Sequence, residues 1–285
     1  MSSSELTPEC FERLRKFIHE NTGIAVADGK SYLIETRFKA LLEEESIESF
    51  ESFCDTLEKG VPARLLDKIV NAITTNETLW FRDDGPWQIL EKNLLPQFCE
   101  QLTTGKRDKI RIWSAASATG QEPYSVAMLI REFIEGIPDI KPESFEILAT
   151  DISSDAIATS KAAEYELLAA SRGISPDRLE QFFDESEGSV QVKQEIRSMV
   201  RFQQFDLQRS FMGLGEFDLV LCRNVLIYFA NDLKKEIYEK ISRTLTEDGA
   251  LILGGAESIQ GTAKLFKMAR AGRFLYYTSK KKGAS

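Results

Sequence analysis

Four apolar runs in this chain end on groups that could hold a polar ligand. Ser114–Ser125 reads SAASATGQEPYS, small residues and one glycine ahead of Glu122. FEILATD ends on Asp151, QFDL carries Asp206, and CRNVLIYF places Arg223 and Asn224 inside an otherwise apolar stretch. Burying such groups costs free energy unless they are paired, so a run that breaks its own pattern marks a site. Asp151 suits ribose hydroxyls, although an acid here also serves as a helix N-cap. Ser153 is the better cap, which leaves Asp151 for a ligand. Asp206 can accept from an exocyclic amine, or is simply a turn residue. Glu122 is equally a good first-turn residue and a ligand contact. Tyr228, one helical turn beyond Asn224, reaches the same mouth or remains a core aromatic with a surface hydroxyl. SAASATG lacks GxGxxG, so a pyrophosphate is poorly served, whereas small side chains let a nucleoside lie against the backbone. The set points to a nucleoside ligand without phosphates, with S-adenosylmethionine first among candidates.

Asn71–Asp84, NAITTNETLWFRDD, is the odd segment. It follows an amphipathic helix, places polar residues together from Thr74 to Thr78, and closes on Leu-Trp-Phe-Arg. It reads either as a hinge between domains or as part of a site.

Bulk composition removes several classes. A net charge of −9 disfavours a general grip on nucleic acid phosphates. One histidine and four cysteines with no CxxC pair argue against a metal site. No secretory h-region or membrane-spanning run is visible, so a cytoplasmic protein with reduced thiols is expected. His19, near the end of the first helix, reads as a surface or capping residue.

Helical and strand periodicity then supply the framework. Thr7, Pro8 and Gly23 bracket a first helix with Phe11, Leu14 and Ile18 on one face. A second helix has Leu33, Ile34, Phe38, Leu41 and Leu42 on one face. Two more helices complete an N-terminal unit over 1–75. From residue 85 on, a helix over Trp87–Leu102 with a kink at Pro96 leads into alternating strands and helices. Non-alternating apolar strands predict a parallel, doubly wound sheet. EDGALILGG reads as a strand after a tight turn, and RFLYYTS as a closing edge strand. The stretch about 164–200 is too long for a connection and contains the alternating SVQVKQEI, predicting an inserted antiparallel hairpin. SKKKGAS is expected to be a solvated tail.

ITTNETLWFRDD, RIWSAASATGQEPYSVAM, ATDIS, CRNVLIYF and GGAES together resemble the chemotaxis receptor protein-glutamate O-methyltransferases, the CheR family. The resemblance covers nearly the whole chain. It implies an α/β fold: a Rossmann-like class I S-adenosylmethionine methyltransferase domain over 85–285, with an inserted antiparallel β-subdomain. A linker at 76–84 and an all-helical domain at 1–75 precede it. It implies methylation of glutamate γ-carboxylates on chemoreceptor cytoplasmic helices, with S-adenosylhomocysteine as product and no metal. Its cofactor contacts fall on Asn76, Thr78, Arg82, Glu122, Asp151, Asp206, Leu207, Asn224 and Val225. Arg82 and Tyr228 flank the transferred methyl. Gln121 replaces a family Glu, with little effect expected. Of the basic residues on the second helix only Arg37 and Lys39 stand clear, ahead of Glu43–Glu45, which implies a weaker or shifted docking surface. The acidic DESEGS loop argues against a grip on a receptor C-terminal pentapeptide. A monomer with no nucleic acid partner and no membrane insertion is expected. A methyltransferase acting on another protein or small molecule, and a cofactor-binding signalling module without turnover, are the competing readings.

Overall fold

Thr7 accepts a hydrogen bond from the Cys10 amide at 3.2 Å, Pro8 opens helix α1 (Pro8–Thr22), and Gly23 closes it at φ 74°. Helices α2 (Ser31–Glu44), α3 (Phe50–Glu58) and α4 (Ala63–Ile73) follow. Their apolar faces meet around Leu14, Ile18, Ile34, Phe38, Phe53 and Ile69, all essentially buried. The computed structural model describes residues 5–259 and 261–280, so the end of the Lys-rich tail at 281–285 lies outside the described residues.

Two expectations for α2 are corrected. Leu33 faces a cavity rather than the helical core. Arg37 does not stand clear: its guanidinium donates to the carbonyls of Ile73 and Thr74 and to Thr75 Oγ1. The last carbonyls of a helix lack intrahelical donors, and Arg37 supplies them at the end of α4.

The next helix begins at Asp84, earlier than expected. It runs as α5 (Asp84–Ile89), a π-helical turn (Leu90–Leu94) and α6 (Leu95–Thr103). Pro96 cannot donate, and its ring crowds the carbonyl four residues back. The π turn, with the Leu95 amide on the Leu90 carbonyl, absorbs that conflict.

Strands β1 (Ile110–Ala115) and β2 (Phe145–Asp151) flank helix α7 (Gln121–Ile134), and α8 (Ser154–Ala162) follows β2. The insertion then holds β3 (Glu164–Glu166), α9 (Leu167–Ala170), α10 (Pro176–Phe182), β4 (Phe183–Ser186), β5 (Ser189–Val192) and α11 (Gln194–Arg197). Its sheet is three-stranded and antiparallel, in the order β3-β5-β4, one strand more than the expected hairpin. The main sheet resumes with β6 (Val200–Gln204), β7 (Phe217–Cys222), helix α12 (Asn231–Thr244), β8 (Leu245–Leu253), β9 (Phe266–Ala271) and β10 (Phe274–Ser279).

The seven strands lie in the order β6-β2-β1-β7-β8-β10-β9. The first five are parallel, and β10 runs antiparallel to both neighbours. RFLYYTS is therefore not the edge: β10 slots between β8 and a strand absent from the sequence reading, β9. The tight turn expected before EDGALILGG does not form: β8 starts at Leu245 directly after α12 and carries a register irregularity opposite Phe217. Gly249 sits there because a Cβ would approach the Phe217 carbonyl oxygen to 2.9 Å. Both faces of β1 are buried: Ile110 and Ile112 point to one core, Trp113 to the other. The cysteines are free and buried, and desolvation pushes the Cys54 thiol up to about 12.

Gly23 also marks where the helical unit meets the sheet domain, since a Cβ there would lie 2.5 Å from Leu233 Cδ2 on α12. Gly60 has a positive φ but open space around it. Gly23→Ala should cost at least about 1 kcal/mol and more than Gly60→Ala, measured as the shift in urea midpoint. Equal shifts would mean that the Gly23 contact yields freely.

Candidate active site

The chain runs from β1 outward through β2 to β6, then returns to the far side of β1 as β7. Such a switch opens a crevice beyond the carboxyl ends of the strands. A cavity of about 470 Å³ lies there. Ala116–Ala118 line it after β1, Asp151 at the end of β2, Asp206 and Leu207 after β6, and Asn224, Val225 and Tyr228 after β7. Glu122 enters from α7, and Asn76, Thr78 and Arg82 from the linker. Every residue singled out in the sequence as a ligand or catalytic group thus borders one space.

Arg223 holds this arrangement from beneath. Its side chain is only 2% exposed. It donates from Nη1 to Glu122 Oε2 at 2.8 Å, and from Nη2 to Asp83 Oδ2 at 2.9 Å and the Arg82 carbonyl at 2.6 Å. Glu122 Oε1 accepts from Ser114 Oγ at 2.8 Å. Both oxygens of Glu122 are therefore already engaged, and a ligand would meet only their remaining lone pairs. The sequence flagged Arg223 as a pattern breaker but not as the anchor.

Asp151 is likewise tied into the backbone. Oδ2 accepts from the Ala118 amide at 2.8 Å and Oδ1 from the Ser153 amide at 3.0 Å. Ser153 caps α8 as expected, accepting from Ala156, yet this does not leave Asp151 free. Desolvation raises the Asp151 pKa, and the backbone hydrogen bonds oppose that rise. Ala116 and Ala118 take left-handed conformations, φ 56° and 49°, as the loop wraps around this carboxylate. Asp206 Oδ1 accepts from the Gln208 amide at 2.8 Å, a turn contact, while the residue still borders the cavity.

Asn224 sits at φ 58°. Glu257 fixes it there, taking the amides of Asn224 at 2.7 Å, Leu226 at 2.9 Å and Gly254 at 2.9 Å. Sequence reasoning gave Glu257 no role, although an acid just past a Gly-Gly strand end was the available signal. The helical unit supplies a further wall that the sequence did not reveal. Ile24 bridges Phe229, the Ala25 amide donates to the Tyr228 carbonyl at 2.8 Å, and Val26 and Leu33 border the cavity.

The linker divides in two. Asn76 Nδ2 reaches Ser153 Oγ at 3.4 Å, and Arg82 Nη1 reaches the Glu77 carbonyl at 3.4 Å, both long contacts. Trp80 is buried edge-on against Tyr165 and Phe183. The front half is loosely held and the rear half is pinned.

These features match a nucleoside ligand better than a nucleotide. Acidic acceptors and apolar Leu207 and Val225 border the space, with no glycine-rich phosphate cradle. A switch-point cavity of this kind on a sheet with an antiparallel close defines a Rossmann-like class I S-adenosylmethionine-dependent methyltransferase. The chain belongs more particularly to the CheR family: residues 9–74 match "CheR methyltransferase, all-alpha domain" and residues 76–275 match "CheR methyltransferase, SAM binding domain". It is 38% identical over 271 residues to "Chemotaxis protein methyltransferase Cher2" of Pseudomonas putida, covering 95% of this chain and 98% of that one. It is 37% identical over 281 residues to "Chemotaxis protein methyltransferase 1" of Vibrio cholerae, covering 98% and 100%. Among the described residues no helix is long and apolar enough to cross a membrane, and no group of His, Cys, Asp or Glu is placed to share a metal ion.

Removing one partner of a buried ion pair strands the others. Arg223→Ala should therefore cost about 3–5 kcal/mol in urea denaturation. Arg64→Ala, whose exposed side chain pairs with Glu45, should move the midpoint little. Comparable shifts would refute the anchoring role of Arg223.

Proposed function

We propose that the protein methylates glutamate γ-carboxylates on the cytoplasmic helices of chemoreceptors, giving methyl esters and S-adenosylhomocysteine. The reading divides the chain into a helical domain to residue 75, a linker at 76–84, and a methyltransferase domain from 85 with an insertion at about 164–200. One observation carries it: Arg82 and Tyr228 border the same cavity as the acidic groups suited to an adenosine. The names of the relatives support it, all chemotaxis methyltransferases over nearly their full length.

S-adenosylmethionine supplies a methyl on a positively charged sulfur that leaves as a neutral thioether. A glutamate acceptor, with a pKa of ≈ 4.3, is already ionised at neutral pH, so no general base is required. What remains is orientation and control of charge. Asp151 takes ribose hydroxyls through its unused lone pairs, and Asp206 accepts from the adenine amine. Leu207 and Val225 give the base apolar contact. Asn76, Thr78, Glu122 and Asn224 direct polar groups toward the rest of the cofactor. Arg82 offers a planar fork matched to the incoming carboxylate, and Tyr228 guides it from the opposite rim.

The docking surface differs from a dense basic helix face. Arg13 is taken by Asp55 and Glu58, Arg15 by Glu12 and Asp28, and Arg37 by the end of α4. Lys30 at the cavity and exposed Lys39 remain for an acidic receptor helix. The tip of the β4–β5 hairpin is acidic, so we assign recognition to the methylation region itself and not to a receptor tail. Such a substrate requires a cytoplasmic enzyme, and we take it to act as a monomer.

The test combines the protein, methyl-labelled cofactor and receptor cytoplasmic fragments with and without their last residues. Label should appear on both fragments, be lost on replacing the target Glu by Ala, and be released by alkali as an ester requires. Alkali-stable label would favour a different acceptor. Arg82→Ala should lower kcat on the order of 10²-fold, and wild-type turnover would remove Arg82 from the mechanism. The loosely held residues 76–79 should gain hydrogen-exchange protection on cofactor binding, while Trp80, already packed, gains little. Equal protection with and without cofactor would contradict the assignment of Asn76 and Thr78.

A further inference from the structure

The segment that presents Arg82 is strained. Phe81 has φ 46° and Asp83 φ 60°, left-handed conformations that cost a non-glycine residue free energy. Such backbone persists only where its surroundings over-determine it. The sheet domain proper restrains it: Ser125 Oγ accepts from the Phe81 amide at 3.1 Å, Arg223 holds the Arg82 carbonyl and Asp83, and Trp87 Nε1 donates to the same carbonyl at 3.2 Å.

Further restraints come from the inserted subdomain. Tyr165 of β3 and Phe183 of β4 grip the Trp80 indole edge-on, at centroid distances of 5.0 and 5.2 Å. Gly173, at φ 104°, lies against the Trp80 carbonyl so closely that any Cβ would collide with it. Arg178 of α10 lays its guanidinium on the Phe81 ring at 3.9 Å, and Trp87 packs edge-on against the same ring at a centroid distance of 5.1 Å. Glu132 of α7 fixes the guanidinium with two parallel bonds, at 2.6 and 2.7 Å. An ion pair whose only task was to fasten the insertion to α7 would not need an aromatic face beneath it. The pair instead orients a plane, and the plane covers the residue next to Arg82.

We propose that the inserted subdomain is part of the catalytic unit, and that Arg178 is a positioning residue which fixes Arg82 by clamping Phe81. This rests on the reading that Arg82 meets the acceptor carboxylate. The insertion then does more than offer an outer surface: it sets the geometry of a catalytic side chain through two aromatic residues of the linker.

Full-length Arg178→Ala, Arg178→Lys and Gly173→Ala test this. Arg178→Ala should lower kcat on receptor fragments about tenfold while cofactor affinity stays within about threefold. Arg178→Lys keeps a charge but loses the plane and the second bond to Glu132, so it should recover little of the loss. Gly173→Ala should reproduce the Arg178→Ala signature by displacing the Trp80 carbonyl. Exchange of the amides at 79–84 should quicken about tenfold in Arg178→Ala, a readout independent of activity. Fast exchange with wild-type kcat would show a clamp that does not position Arg82. Unchanged exchange would show no clamp. A kcat loss that follows thermal stability would show a merely structural residue, and full recovery by Lys would show that the guanidinium plane is not the clamp. Each of these overturns the proposal. If the wild-type protein methylates no receptor fragment, the functional reading fails, while exchange still judges the clamp.

Discussion

A guanidinium inside a protein must find partners for its donors, and few positions can provide them. Arg223 finds Glu122 at the start of α7, and Asp83 with the Arg82 carbonyl in the linker. These groups come from separate parts of the chain, and one planar cation fixes all of them at the carboxyl end of β7. The linker crosses the sheet mouth where it does because its carbonyl and its acid are needed there. Glu122 in turn orients Ser114 at the end of β1. The cavity is shaped around a charge that borders it yet is largely spent on the protein itself.

Much of this was legible in the sequence, and the exceptions share a cause. The helical unit was readable because caps and periodicity are local: Thr7, Pro8 and Gly23 act within one helix. The parallel strands were readable because burial on both faces leaves unbroken apolar runs. Strand β9 was not: at the edge of the sheet Phe266 and Ala271 are buried while Met268 is exposed, and only its pairing with β10 makes it a strand. β9 and β10 form a hairpin across Gly272 and Arg273, and which of them lies beside β8 is set by the distant pairing of Tyr277 and Thr278 with Leu251 and Ala250.

The same division applies to the site. The position of each acid followed from the rule that ligands collect beyond strand ends. How much of each carboxylate remains available did not follow, because the competing donors are remote: Arg223 for Glu122, and the Ala118 amide for Asp151. Arg37 illustrates this on a helix surface, where it counted as free charge until the end of α4 arrived to claim it. Glu257 is the converse case, a residue without a recognisable pattern that gathers three amides and shapes the loop of Asn224.

The bridge between Ile24 and Phe229 has a consequence for how the molecule is made. It joins a residue near the beginning of the chain to one near its end. Helices α1–α4 have a core of their own and can condense early, since their contacts are local. The cavity wall they contribute cannot close until β7 has been synthesised and paired with β1. Between those events the apolar lining around Val26 and Leu33 has no opposing surface. During synthesis the helical unit can therefore fold before the cleft it borders has its second wall.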